Sequence, residues 1–464
     1  MTAGAQAPGT GTRPGYPGER AYATATRVFN LAAPARPAAA VTVTSVAEVR
    51  RALDHARAEG MGVRVHTTGH ASAAVAPPTG ALLLRTRFGD PVTVDAAARV
   101  ARVPAGATWG DVVPAAAEHG LAAAHGSSAL VGAVGYLLGG GVSFYGRRAG
   151  LAVNTVRAVE LVTADGAHRR VDASSEPELF WALRGGGGGF GVVTAVEIEL
   201  FPAAEVVTGA AFWPAAQAPE LLARWLSWTR GAPEEAATSL RILHFPADAP
   251  LPPSLRGGPL VCVDGAVLAA ESRDAGRART IAADLLRPLR AVAEPVLDTW
   301  RPGPAAAVLS AHMDAPEPLP FRGDHLLLRD VDGDAAAAFL RLAGEGSGSP
   351  LVLAGFRQLG GAFARPAPGG GALTHVDARF AYLGSGAPFG GVTEDDLRDH
   401  CTAMRAALTP WDSGWTIPSL VEDAARPQRH LDVPAARAVH RVRTSTDPDG
   451  LFTGDIARGA RTPL

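Results

Sequence analysis

Arg64-Val65-His66-Thr67-Thr68-Gly69-His70-Ala71-Ser72 is the stretch on which the architecture turns. An apolar run from Met61 to Val65 stops abruptly in small polar residues, the pattern of a strand entering a turn. Gly69 is free to take the positive φ that other residues resist. Successive backbone N–H groups in such a turn point one way and form a concave anion site. Thr67, Thr68 and Ser72 add hydroxyls, and His70 stands at the rim. A diphosphate fits such a turn. An isolated histidine among apolar residues also serves as a packed core residue, and the rest of the chain decides between the two.

The chain has 464 residues, more than one ordinary core accommodates, so two domains are expected. Net charge is −2 and no basic run occurs, which argues against nucleic acid as a partner. The 43 Lys and Arg residues are all Arg. That excludes a lysine Schiff base and a Walker-type phosphate lysine. Cys262 and Cys401 lie in no metal-ligand spacing and read as buried free thiols; no metal is expected. Residues 1–20 are rich in Gly, Pro and Thr and read as a disordered tail. No apolar run approaches the ~20 residues a membrane span needs, so a cytoplasmic protein is expected. Nothing in the sequence sets the oligomeric state.

Short strands and helices alternate through the first part of the chain. Helices are expected at Ala21 to Asn30, Ser45 to Glu59, Thr108 to His119 and Glu176 to Leu183. Ser45 with Glu48, and Thr108 with Asp111, have capping-box spacing, and Gly120 closes the third helix. Strands are expected at Ala40 to Val43, Gly62 to Val65, Ala81 to Leu84, Pro91 to Asp95, Val100 to Val103, Val156 to Thr163, Ala167 to Val171 and Gly191 to Leu200. Beyond Val206 longer strands (Val206 to Phe212, Thr238 to Phe245, Pro259 to Leu268, Leu351 to Leu359, Ala372 to Leu383) are separated by helices. Those helices are Ala218 to Thr229, Ser272 to Leu286, Gly333 to Leu342 and Glu394 to Leu408. This pattern predicts one sheet backed by helices. A last helix begins at Ala435, and Asp447-Pro448-Asp449-Gly450-Leu451-Phe452 makes a turn and an apolar plug.

Two glycine-dense segments bear on chemistry. Gly186, Gly188 and Gly191 match G-x-G-x-x-G in form. A helix precedes them and a strand follows, the reverse of a nicotinamide-binding unit, so that reading is rejected. The run is either a flexible turn or a backbone that lets a flat or phosphorylated ligand come close. His125 to Gly141 is apolar yet interrupted repeatedly by glycine, at about 1 kcal/mol for each one in a helix. Such a backbone is suited to lie against a flat ring system.

Four pieces now stand in order: the Gly-His turn, the glycine loop, Leu179-Phe180-Trp181-Ala182-Leu183-Arg184 with Phe190-Gly191-Val192-Val193-Thr194, and Asp447-Pro448 to Phe452. As a set they resemble the FAD-linked oxidases of vanillyl-alcohol oxidase and p-cresol methylhydroxylase (PCMH) type, in the berberine-bridge-enzyme-like branch of bacteria. The resemblance implies an α+β fold of two domains. Residues 21–203 would be the PCMH-type FAD-binding domain and 204–417 an antiparallel-sheet substrate domain backed by helices, with 418–464 returning to the first. It implies that Thr67, Thr68, Gly69, His70, Ala71 and Ser72 hold the FAD diphosphate, and that His70 carries the flavin on its 8α-methyl carbon. Ser128 stands where many members have a second, cysteinyl link, so one covalent bond is expected. The same resemblance assigns Ser127, Ser128, Val131, Gly132, Gly135, Tyr136, Leu138, Gly140, Gly141, Gly191 and Val193 to the cofactor. Val131 falls at the position that admits dioxygen, and Tyr136 near the flavin pyrimidine edge, where a phenol could donate to developing charge.

The family's C-terminal Tyr-x-Asn is missing: no Tyr lies between Trp415 and Pro448. A replacement base is sought on Thr374 to Phe380, where period two puts His375, Asp377 and Arg379 on one face, lining either a substrate cavity or solvent. Tyr136, His375 and Arg379 are thus the catalytic candidates. Arg357 is a further cavity candidate, and Arg147 and Arg148 stand at cavity wall or surface. The implied activity is oxidation of a small alcohol, hemiacetal or amine, in bacterial natural-product biosynthesis, by hydride transfer to flavin N5, with dioxygen reduced to hydrogen peroxide. Oxidative cyclisation or rearrangement, and a dehydrogenase that does not use dioxygen, are the alternatives.

Overall fold

The computed structural model describes residues 13–246 and 252–454. Among the described residues there are three larger sheets and a two-stranded pairing of Leu121–Ala122 with Phe201–Pro202. Ala39–Val43, Leu82–Thr86 and Val63–His66 form a parallel sheet in that spatial order. Parallel neighbours need a crossover, and the helix Val46–Ala58 provides it. Its Val49, Ala52, Leu53 and Ala56 are buried against Val41, Val43, Val63 and Leu84. Ser45 caps this helix by accepting from the Glu48 N–H. The reciprocal half of the box is absent, because the Glu48 carboxylate accepts from Thr44 N and Oγ1 at 2.7 and 2.8 Å. Thr108 and Asp111 make both halves on Trp109–Ala117.

A second, antiparallel sheet runs Thr93–Asp95, Val100–Pro104, Val192–Glu199, Val156–Val162, His168–Asp172. Its core is shared with Trp109, Val112, Leu137, Phe180 and Leu183 from the helices around it.

The third sheet has eight antiparallel strands. Its main path is Leu297–Asp298, Glu205–Pro214, Leu260–Ala269, Ala236–Leu243, Leu353–Gln358, Phe380–Gly386, Arg322–Leu328, and Arg301–Gly303 also pairs with Glu205–Pro214. Leu240, Ile242, Val261, Val263, Phe356 and Tyr382 share a core with Ala218–Thr229, Ala275–Arg290, Gly333–Ala343 and Glu394–Leu408. Each large side chain buried there stabilises by about 2 kcal/mol. Alternate residues take the other face, where Ala381 and Leu327 pack with Val142, Leu151, Val153 and Ile417. The sheet thus covers the end of the glycine loop.

Three expectations are corrected. Residues 13–19, placed in the tail by composition, include Gly15, which pairs with Ala40; residues 1–12 lie outside the described part. The strand expected from Ala372 is confined to Phe380–Gly386, because 373–378 is irregular chain whose Val376 N–H donates to Phe363 O. Arg322–Leu328, an edge strand, went unrecognised beside its Pro-rich joint.

The C-terminal helix, Val433–Thr446, is capped by Asp432 and packs near Pro177–Leu183. Arg443 donates to the Gly186 and Gly188 carbonyls at 2.9 and 3.1 Å. A Cβ on Gly186 would stand 3.0 Å from Val439, so the glycine run here makes room for the returning helix. The Asp447 carboxylate then accepts from Leu451 and Phe452 N–H. Phe452 pairs with Val63, extending the parallel sheet at its edge.

Candidate active site

The Gly-His turn and the glycine loop face each other. A Cβ on Gly132 would lie 3.3 Å from Thr67 Cβ and 3.5 Å from Thr68 Oγ1. Gly69 has φ 73°, and a Cβ there would come within 2.6 Å of Val28 Cα, so the turn requires glycine on both counts. Thr67 Oγ1 pairs with Thr86 Oγ1 at 2.8 Å. The Phe29 ring stacks on His70 at 4.0 Å and 13°. His70 Nδ1 is 2.8 Å from Thr68 Oγ1, whereas its Nε2 is buried and unpaired, as is Ser72 Oγ. Burial takes the His70 pKa down to about 4, against the pull of Asp314, so the ring is neutral at pH 7.

On the glycine loop, Ser128 Oγ accepts from Leu130 N–H at 3.3 Å, and Val131 O accepts from Trp109 N–H. Ser127, Val131 and Leu138 are half-buried. Space is open around Gly135, with nothing within 4 Å of where its Cβ would be. Gly140 faces Ile417 and Leu373, each 3.1 Å from its missing Cβ. Ser419 spans the end of the loop: its Oγ accepts from Gly141 N–H and its N–H donates to Gly139 O. Tyr136 packs edge-on to Trp109, and its hydroxyl is buried without a partner. Burial raises the phenol pKa, so Tyr136 stays a neutral donor. His125 Nδ1 donates to Gly126 O at 2.6 Å, leaving its buried Nε2 unpaired. Gly191 and Val193 have packing roles: a Cβ on Gly191 would meet Val162 O at 2.5 Å, and Val193 is in the core.

Opposite the loop the large sheet presents a buried polar row. Asp264, Ser239 and Arg357 are direct cross-strand neighbours. Asp264 accepts from Ser239 Oγ, Arg241 Nη2 and, at 2.8 Å, His312 Nδ1. Burial would raise the Asp264 pKa, but Arg241 and His312 pull it below the ordinary carboxylate range. Burial and Arg241 lower that of His312. Arg357 lies 4.2 Å over the Phe144 ring and acts electrostatically on Tyr136. Asp314 is felt by His70, Arg241, His312 and Arg357, which ties the turn to this row.

Sequence reasoning missed Ser239, Arg241, Asp264 and His312. The first three carried a signal, polar residues at every second position of apolar strands; His312, in a Pro-rich joint, carried none. No strand forms at 375–379, but the expected alternation holds: Val376 and Ala378 are buried, and His375, Asp377 and Arg379 take the less buried side. His375 Nδ1 pairs with Thr374 Oγ1, Asp377 is exposed, and Arg379 is spent on Asp330 at 3.0 Å in a half-exposed ion pair. Arg147 is no cavity wall: its guanidinium donates to the Ala232, Ala236 and Leu359 carbonyls and anchors the sheet.

Residues 37–172 match the family model described as an FAD binding domain. The chain is 34% identical over 186 residues to (R)-6-hydroxynicotine oxidase of Paenarthrobacter nicotinovorans, covering 40% of this chain and 41% of that one. The chain therefore spans about two fifths of the length of this curated relative. The structure superposes on 6-hydroxy-D-nicotine oxidase of Arthrobacter nicotinovorans with a TM-score of 0.79 at 22% identity, covering 96% of each chain. It also superposes on berberine bridge enzyme of Eschscholzia californica with a TM-score of 0.73 at 18% identity, covering 92% and 91%.

The chain carries an FAD binding domain over residues 37–172 and shares the fold of these oxidases.

The residues present fit FAD, the cofactor of the matched domain. The facing loops leave His70 Nε2, Ser72 Oγ, His125 Nε2 and Tyr136 OH buried and unpaired, and open space adjoins Gly135. Buried polar atoms are rarely left so, and a bound dinucleotide would satisfy them. Among the described residues no helix is long and apolar enough to cross a membrane.

Proposed function

We propose that this chain is an FAD-dependent oxidase of a small molecule, with the bound flavin taking a hydride from a substrate carbon and passing the electrons to dioxygen to give hydrogen peroxide. The observation that carries this reading is the opposition of the two glycine-bearing loops beneath a buried polar sheet face. Thr67 to Ser72 would hold the diphosphate, and Ser127 to Gly141 would lie along the ring system. With domain boundaries near 203/204 and 417/418, the site would lie between the two lobes.

His70 is the attachment residue in this reading. With Nδ1–H donated to the Thr68 hydroxyl, Nε2 keeps its lone pair, and the stacked Phe29 fixes the ring. Ser128 offers no thiolate, so His70 would be the single link. Tyr136 holds its proton and donates where negative charge develops. With the family tyrosine missing, the Asp264–His312 pair supplies an oriented imidazole on the substrate side.

The test needs no substrate. Purified protein is reduced anaerobically with dithionite and mixed with aerated buffer, with spectra and peroxide followed together. Rapid return of the yellow colour with stoichiometric peroxide is expected. A colourless protein, or a flavin that stays bleached for minutes in air, would refute the oxidase reading.

A further inference from the structure

We propose that Arg357 binds an anionic oxygen group, a carboxylate or phosphate, on the substrate. This rests on the reading that the site oxidises a small molecule, and it narrows the class of that molecule. The argument is an inventory of buried charge. Arg241 and Asp264 neutralise each other. Both Asp264 oxygens are filled, Oδ1 by Ser239 and Oδ2 by Arg241 and His312. A carboxylate only accepts, so His312 Nδ1 must be the donor in its bond to Asp264. That nitrogen therefore cannot also accept from Arg357 Nη2, 3.4 Å away.

What remains to Arg357 is poor. Val142 O lies at 3.5 Å, the Phe144 face at 4.2 Å, and Nε is buried without a partner. Arg357 is only 5% exposed. Asp314, an exposed residue, is within electrostatic reach but makes no hydrogen bond to it. Buried guanidinium groups are ordinarily paired, because desolvation is costly. This one has no hydrogen-bonded anionic partner on the sheet face that covers the glycine loop, Asp264 and Asp314 acting on it only at a distance. Phe144 covers one face of the guanidinium plane. The planar fork matches carboxylate and phosphate oxygens.

The test titrates the full-length, FAD-loaded protein by calorimetry with benzoate and with benzamide, its neutral isostere. Wild type, Arg357→Gln and Arg357→Lys are compared. Wild type should bind benzoate at least about tenfold more tightly than benzamide, and Arg357→Gln should abolish the preference. Arg357→Lys keeps the charge but loses the fork, so benzoate should weaken severalfold and benzamide stay unchanged; this variant decides should Arg357→Gln not fold. Equal binding of the two probes, binding of neither, or a preference that survives removal of the guanidinium overturns the proposal. Calorimetry reads the anion whether or not flavin is present, and the visible spectrum of the same sample reports the flavin, so the two readings fail separately. Reduced flavin is the other source of negative charge. A lower flavin midpoint potential in Arg357→Gln with unchanged benzoate affinity would assign the arginine to the cofactor and overturn the substrate assignment.

Discussion

Asp264→Asn is the substitution whose cost follows most directly from the structure. Asp264 is fully buried and holds three donors, two of them on side chains that carry or can carry positive charge. The amide keeps the shape and removes the charge. Arg241 is then left buried with the His312 carbonyl and Cys262 Sγ as its remaining contacts, and Arg357 adds a second cation nearby. Breaking a buried pair on one side costs about 3–5 kcal/mol, a large share of the ~5–15 kcal/mol that holds a typical domain. Removing both partners by Arg241→Met with Asp264→Leu leaves neither member of the pair orphaned and should cost less than the single change. Urea unfolding followed by tryptophan fluorescence measures both, provided the slope is unchanged. Trp213 and Trp225, both fully buried, report on this sheet. A loss below about 1 kcal/mol in Asp264→Asn, or a double variant at least as unstable as the single one, would show that the pair is not the buried ionic unit described.

Gly69→Ala should purify with little or no flavin, since the alanine meets Val28 backbone at 2.6 Å and an unfavourable φ of 73°; the absorbance ratio of flavin to protein checks this. Glu422 is half-buried with Oε2 itself buried and unpaired, and desolvation lifts its pKa from 4.5 to about 8. Its native state keeps a proton that the unfolded chain releases, so its contribution is intact below pH 4.5 and declines as pH rises towards 8, by up to about 5 kcal/mol. Glu422→Gln should therefore gain on wild type in thermal unfolding from pH 5 to pH 8, and a constant difference would contradict it. Burial takes His70, His125 and His430 down to about 4, so each destabilises the fold as pH falls from 6.5 towards 4; melting temperatures over that range should drop steeply. Arg443→Ala should free the C-terminal helix from the Gly186 and Gly188 carbonyls, seen as faster amide exchange over 433–452 with the large sheet unaffected.

Much of the fold was legible because local signals and tertiary demands agree. Glu394–Leu408 and Ala218–Thr229 have the bounds that their apolar spacing predicts. The Gly-His turn was legible because a left-handed φ and a close approach to Val28 leave only glycine. Residues 374–379 were half legible: alternation sorts Val376 and Ala378 inward and His375, Asp377 and Arg379 outward, but it does not show that the backbone there is irregular chain outside the sheet. The glycine run at 185–189 misled, since close helix packing asks for glycine as much as a ligand does. The Ser239–Asp264–Arg357 row was hidden for another reason. It is assembled from three strands far apart in sequence, and only their register puts them side by side.

The central claim is tested most directly by digesting acid-denatured protein and locating the flavin by fluorescence and mass. The account predicts yellow colour that stays with the precipitate, a single flavin-bearing peptide spanning His70, and its loss in His70→Ala. Flavin released wholly into the supernatant, or carried by a peptide without His70, would contradict it.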